Sequence, residues 1–233
     1  MNTKILYLSL LVLLFQKNIS AQDINIVVGN ARTKIEKVKD YEAIGKMKTN
    51  VTFLKIPIAT IKLYFKNPNK FKLTSEKGLS FVPKGSMSIN LNTIFTGNDF
   101  TIIDAGTENI DKTNVRVAKL LPNDDNSDLV LTTLYIDPVN YLILKSKTTT
   151  KENGTYELKM KYKNYSVFGL PDEILFSFNA KDYKLPKGIT FDFDDGTSNK
   201  QTATKLEKNK KGVVEILVSK YSINKGLNDA IFK

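Results

Sequence analysis

The stretch from residue 59 to residue 74, Ala59-Thr-Ile61-Lys-Leu63-Tyr-Phe65-Lys-Asn67-Pro68-Asn69-Lys-Phe71-Lys-Leu73-Thr74, decides the fold. Ile61, Leu63 and Phe65 alternate with Lys62, Tyr64 and Lys66, a period of two that places apolar side chains on one face of a strand and polar ones on the other. Asn67-Pro68-Asn69 is a turn signal, and Phe71 and Leu73 resume the alternation on the way back. The segment reads as an antiparallel hairpin with one dry and one wet face.

The same period extends in both directions. Upstream, Met47, Thr49, Val51 and Phe53 alternate with Lys46, Lys48, Asn50 and Thr52 until Pro57 marks a turn or bulge. Downstream, strands are expected over residues 101–108, 115–121, 129–136, 141–149, 155–162, 174–179, 189–193 and 213–221. The turns lie at Asp111–Asn114, at Asp137-Pro138-Val139-Asn140 and at Asn153-Gly154, the strongest short hairpin signal in the chain. Ahead of the strands, Asp23 can cap a helix that runs through about Lys39, with Ile24, Val27, Val28, Ala31, Ile35 and Val38 as its buried stripe. Gly29 interrupts that stripe. Residues 79–100 are less regular; Leu91, Ile94 and Phe95 suggest a short amphipathic helix or a loop acting as a flap. The expected fold is therefore mainly β (α+β): a strongly curved, open antiparallel sheet, or incomplete barrel, of about ten strands, with an N-terminal helix and a short helical lid.

Residues 1–21 read as a cleavable secretory signal. A short basic start ends at Lys4, Ile5 to Phe15 form an apolar run too short to span a bilayer, and Ala21 offers a small residue at the cut. The remaining residues, 22–233, are expected to form one domain of soluble protein, without lipid anchor because no cysteine is available to carry one. The chain has 35 basic and 24 acidic residues, a net charge of +11; losing Lys4 and Lys17 with the signal leaves +9. Nearly all of that charge is lysine, scattered singly along strands, and Arg32 and Arg116 are the only arginines. Nucleic-acid readers rely on arginine forks and aromatic stacking, so no nucleic-acid partner is expected.

With no histidine and no cysteine, the chain has no imidazole base, thiolate nucleophile or zinc site built on those ligands. Asp124, Asn126 and Asp128 have the spacing that opens a calcium loop, but the loop glycine is missing and Tyr135 stands where the bidentate acid would fall. The cluster Asp192, Asp194, Asp195 and Gly196 reads as a turn. No enzyme, cofactor or metal is expected. What remains is the dry face: one helix is too little to cover about ten strands, so the uncovered part must close on itself, dimerise or form an apolar cavity.

The order of elements, with Tyr64-Phe65-Lys66-Asn67-Pro68-Asn69-Lys70-Phe71, Leu134-Tyr135-Ile136-Asp137-Pro138 and the Lys151–Gly154 hairpin, resembles the outer-membrane lipoprotein carrier superfamily of LolA/LolB/RseB-like proteins. The similarity is closest to divergent LolA-like periplasmic proteins of Bacteroidetes. It implies a monomeric periplasmic carrier or chaperone that takes acyl chains of lipoproteins or lipids into an apolar cavity for transfer toward the outer membrane. An inner-membrane donor and an outer-membrane acceptor protein would be its partners. The wall candidates are Val51, Phe53, Ile61, Leu63, Phe65, Phe71 and Leu73; Ile35, Val38, Ile94 and Phe95 are candidates for the covering side. Carriers of the best-studied type control opening with a lid arginine, and neither Arg32 nor Arg116 matches that position. Two other readings stand beside this one: an RseB-like sensing module, which usually has a second domain, and a secreted structural β protein whose core is simply full.

Overall fold

A computed structural model describes residues 22–51, 54–55, 58–75, 95, 99–152, 154–179 and 211–233. The expected signal segment, Phe53, Ile94, most of the expected flap, the 189–193 strand and the Asp192–Gly196 turn lie outside the described residues, as does the side chain of Val51.

The helix, α1, runs from Ile24 to Glu36. Its start is set by Asp23, whose carboxylate accepts the Asn25 N–H at 2.9 Å. Its end falls three residues short of the expected Lys39. Lys37 is the C-cap, Val38 N–H donates to the Ile35 carbonyl, and strand β1 already begins at Asp40. Val38 is fully buried all the same, as the connector that feeds the helix stripe into the sheet. The apolar stripe Ile24, Val27, Val28, Ala31 and Ile35 is buried as its spacing requires.

The strands are β1 (Asp40–Val51), β2 (Leu54–Lys55), β3 (Ala59–Lys66), β4 (Lys70–Ser75), β5 (Phe100–Ile110), β6 (Thr113–Pro122), β7 (Leu129–Asp137), β8 (Leu142–Thr150), β9 (Gly154–Lys161), β10 (Glu173–Asn179) and β11 (Lys211–Ile223). Ten of them form one antiparallel path in the order β4-β3-β1-β11-β10-β9-β8-β7-β6-β5, with the two-residue β2 paired to β1 off the path. The sheet is open: β4 and β5 are its two ends, and it does not close into a barrel. From β5 to β10 each strand pairs with its neighbour in sequence, as β3 does with β4, whereas β1–β11 brings the first and last long strands together in the middle. The connecting turns follow local chemistry. Asp111 and Lys112 both take positive φ in the two-residue β5–β6 turn. Asp137 caps the β7–β8 turn by accepting Val139 N–H at 2.9 Å and Asn140 Nδ2 at 2.7 Å. The Asn67-Pro68 peptide in the β3–β4 turn is cis.

One cross-strand row shows where the core lies. Thr49, Val214, Phe176, Leu158, Ser146, Leu134 and Ala118 are register partners in succession across β1, β11, β10, β9, β8, β7 and β6. All are buried. The next inward row is Phe178, Tyr156, Thr148, Thr132, Leu120 and Ile102, ending on β5. Helix α1 packs on this same dry face, mainly over β5, β6 and β7.

Candidate functional site

The helix is held on the sheet at both ends. Arg116, on β6 and almost fully buried, donates through Nη1 to the Gln22 carbonyl and through Nη2 to Asp104 Oδ2 at 2.6 Å. Gln22 Nε2 donates to the Tyr141 hydroxyl at 3.0 Å. At the other end, Lys34 Nζ donates to the Asn140 carbonyl at 2.5 Å, and its partial burial lowers the ammonium pKa, helped by the charge of Lys37. The 3-10 turn Ser166–Phe168, which composition did not announce, ends at Gly169 in the left-handed region and sits against α1; a Cβ on Gly169 would stand 3.3 Å from Ile35. The helix is thus a fixed wall.

Between that wall and the β5–β6 end of the sheet lies a cleft of about 330 Å³, open on one side. This is at the lower end of the roughly 300–1,000 Å³ that small-molecule sites occupy. Its floor is apolar: Val28 from α1, Phe95, Phe100 and Ile102 from the β5 side, and Leu120 from β6. Val28, Phe95 and Leu120 are buried, while Phe100 and Ile102 are half-exposed. Gly29 explains its own place in the helix stripe, because a Cβ built there meets nothing within 4 Å among the described residues and points into the cleft. A helix glycine costs about 1 kcal/mol relative to alanine; here it widens the cleft.

The rim is polar: Asn25, Arg32, Asp99 and Asn123. Each has a defined state. Arg32 Nε is committed to Glu36 Oε1 at 2.8 Å, one helical turn on. Asn123 Oδ1 accepts the Thr101 hydroxyl at 2.8 Å, and Asn25 Nδ2 donates to Asp23 Oδ1 at 3.0 Å. Asp99 gives its backbone carbonyl to Asn123 N–H at 2.9 Å, while its carboxylate has no partner among the described residues.

The expected site residues fall in three places. Phe95 lines the cleft. Ile61, Leu63, Phe65, Phe71 and Leu73 lie on β3 and β4, at the opposite end of the sheet from the cleft, where the first three are fully buried and Phe65 packs 5.4 Å from Tyr41. Ile35 and Val38 belong to the buried seam between helix and sheet. Val28, Phe100, Ile102, Leu120 and the rim residues were not expected as cavity residues from sequence, although Val28 was placed on the helix stripe; the one local signal was Gly29, a helix breaker on that stripe. Arg116 is buried beneath the helix start, and Arg32, half-exposed at the rim, pairs through Nε with Glu36.

A second, shallower groove of about 220 Å³ lies on the wet face at a bulge in β1, between Ile44, Gly45 and Leu217. The strands approach closely there, since a Cβ on Gly45 would fall 2.5 Å from the Leu217 carbonyl oxygen. Asp124 and Asp128 serve the hairpin loops, accepting the N–H groups of Asn126 and Glu152 at 2.9 and 3.1 Å. No grouping of three or more acidic side chains that could hold a metal ion occurs among the described residues.

Comparison with solved structures places this architecture. A LolA superfamily protein from Nitrosomonas europaea superposes with a TM-score of 0.56 at 12% identity, covering 91% of this chain and 98% of that one. This chain has the LolA-like fold. A DUF1329 family protein from Desulfovibrio piger matches with a TM-score of 0.53 at 12% identity, over 91% of this chain and 98% of the other. A candidate outer membrane lipoprotein-sorting protein domain from Vibrio parahaemolyticus gives 0.54 at 11% identity, over 89% and 95%. No family model matches the sequence, and no curated protein sequence matches it. Among the described residues no helix is long and apolar enough to cross a membrane.

Proposed function

We propose that this protein is a periplasmic carrier that shelters an acyl chain of a lipoprotein or lipid and passes it toward the outer membrane, without catalysing a reaction. The observation that carries this reading is the cleft between α1 and the β5–β6 end of the LolA-like sheet, with an apolar floor, a polar rim and one open side. An apolar floor with a polar entrance suits an amphiphile, because each methylene removed from water contributes about 0.8 kcal/mol while the polar end stays hydrated. An open sheet also suits cargo that must leave again. The name of the Vibrio domain, a candidate for lipoprotein sorting, is in keeping with such a role. On this reading residues 1–21 are removed on export, residues 22–233 form one domain, and an inner-membrane donor and an outer-membrane acceptor flank the carrier.

The test is native mass spectrometry of the mature protein purified gently from the periplasm, followed by lipid extraction and by incubation with an acylated peptide. Bound acyl lipid, or a mass increase with the peptide, supports the carrier. A clean apo mass under both conditions rejects it.

A further inference from the structure

The charges around the cleft are set against the charge of the molecule. The chain is strongly basic, at +11 overall. Yet the rim holds one cation, Arg32, and that guanidinium is already paired with Glu36. Asp23, next to the rim, is occupied as the helix cap and as acceptor for Asn25. The carboxylate of Asp99 is the rim charge left without a partner among the described residues, and it stands beside Phe100 and Ile102 of the apolar floor. An amphiphile seated with its chain against Val28, Phe95 and Leu120 would therefore present its polar end to an unpartnered carboxylate and two side-chain amides, beside a guanidinium whose charge is offset by Glu36.

The geometry points to a cleft selective for amphiphiles whose polar end carries an ammonium group, with Asp99 as the residue that sets the preference over carboxylate or phosphate ends. This inference rests on the carrier reading and specifies the cargo class of the same site. Its sign runs opposite to what the net charge would give. A basic surface attracts anions at long range, but at about 0.15 M salt that field decays within about 8 Å, so the contact charge decides. An exposed ion pair is a small effect; moving from an attracted to a neutral to a repelled head is expected to change affinity about threefold at each step.

The experiment is isothermal titration calorimetry of the mature protein at neutral pH and 0.15 M salt. Dodecylammonium, dodecanol and dodecanoate are each used below their aggregation limits. The expected order is dodecylammonium tighter than dodecanol, and dodecanol tighter than dodecanoate, a spread of about tenfold. Asp99→Asn should compress that spread to within about twofold, and Gly29→Leu, which fills the cleft, should weaken all three. Dodecanoate binding as tightly as dodecylammonium would overturn the preference, as would an order that survives Asp99→Asn or affinities untouched by Gly29→Leu. If dodecanol binds and no order is seen, the preference alone fails. If none of the three binds, the carrier reading fails with it.

Discussion

Arg116, in the middle of β6, donates a hydrogen bond to the backbone carbonyl of Gln22, two residues ahead of the first helical turn. The same guanidinium reaches Asp104 on β5. One buried side chain therefore fixes the entry of α1 and the pairing of the sheet's last two strands. Truncating it would leave a carbonyl without its donor and open a hole under the helix. Arg116→Leu is expected to lower stability by roughly 1–3 kcal/mol, seen as a fall in thermal midpoint. Arg116→Lys should recover little of that, since a point ammonium cannot make both contacts of a planar fork. A midpoint unchanged in Arg116→Leu would remove Arg116 as the anchor of the helix.

Gly29 separates stability from binding. Its added Cβ would meet nothing among the described residues, so Gly29→Ala should stabilise the protein by about 0.5–1 kcal/mol through helix propensity alone. A larger side chain would occupy the space that Phe95, Ile102 and Leu120 enclose. Gly29→Leu should keep the thermal midpoint at or above that of the parent while reducing uptake of an apolar fluorescent dye severalfold. If the midpoint falls sharply, the helix face at Gly29 is not open and the cleft is misplaced.

What the residues reveal locally and what they do not can be seen in two elements. The β3–β4 hairpin is legible because its information is in period two and in turn chemistry, both carried by neighbours in sequence; Ile61, Leu63 and Phe65 are buried on the face the alternation assigns them. The cleft is not legible in the same way. Val28, Phe95, Ile102 and Leu120 come from separate elements, and only the long-range register that lays β5 and β6 beneath α1 brings them together. Phe95 stood out with Leu91 and Ile94 as the apolar side of a short helix or loop, not because sequence placed it against Val28. The helix end shows a third case: the apolar period runs on to Val38, but the backbone leaves the helix at Lys37 and Val38 is buried by the connector instead.

Ser146 lies fully buried between Leu134 and Leu158 in the cross-strand row, and its hydroxyl has no hydrogen-bond partner among the described residues. In the adjacent row Thr132 and Thr148 satisfy each other at 3.2 Å. The two situations predict opposite outcomes. Removing an unpaired buried hydroxyl relieves its desolvation, so Ser146→Ala should stabilise by about 1 kcal/mol. Thr148→Val leaves Thr132 unpaired and should destabilise by a similar amount, about 1 kcal/mol, whereas the double change Thr132→Val with Thr148→Val should return close to the parent. Denaturant melts of the four proteins check this, and a destabilised Ser146→Ala would mean that the hydroxyl is paired in solution.

The C-terminal segment lies against the β4 edge of the sheet and is held there by lysines of the β3–β4 hairpin. Lys66 and Lys70 contact the Asp229 carboxylate at 2.7 and 2.8 Å, and Lys72 donates to the Ile231 carbonyl at 2.7 Å. The hydrogen bond from Lys66, then that from Lys70, pushes the Asp229 carboxyl down from 3.8 to about 2. Because the folded value is the lower one, the contact contributes in full above the unfolded value and is lost as the pH falls through the folded value. Detachment of the segment is therefore expected between about pH 4 and pH 2, and it should move to higher salt sensitivity because the pairs are exposed. Amide shifts of Ile231 and Phe232 followed by NMR should titrate in that window in the parent protein. They should be flat across it in Asp229→Asn, with the segment already looser at neutral pH. Parent amides that do not move between those limits would show that Asp229 does not hold the segment to the edge.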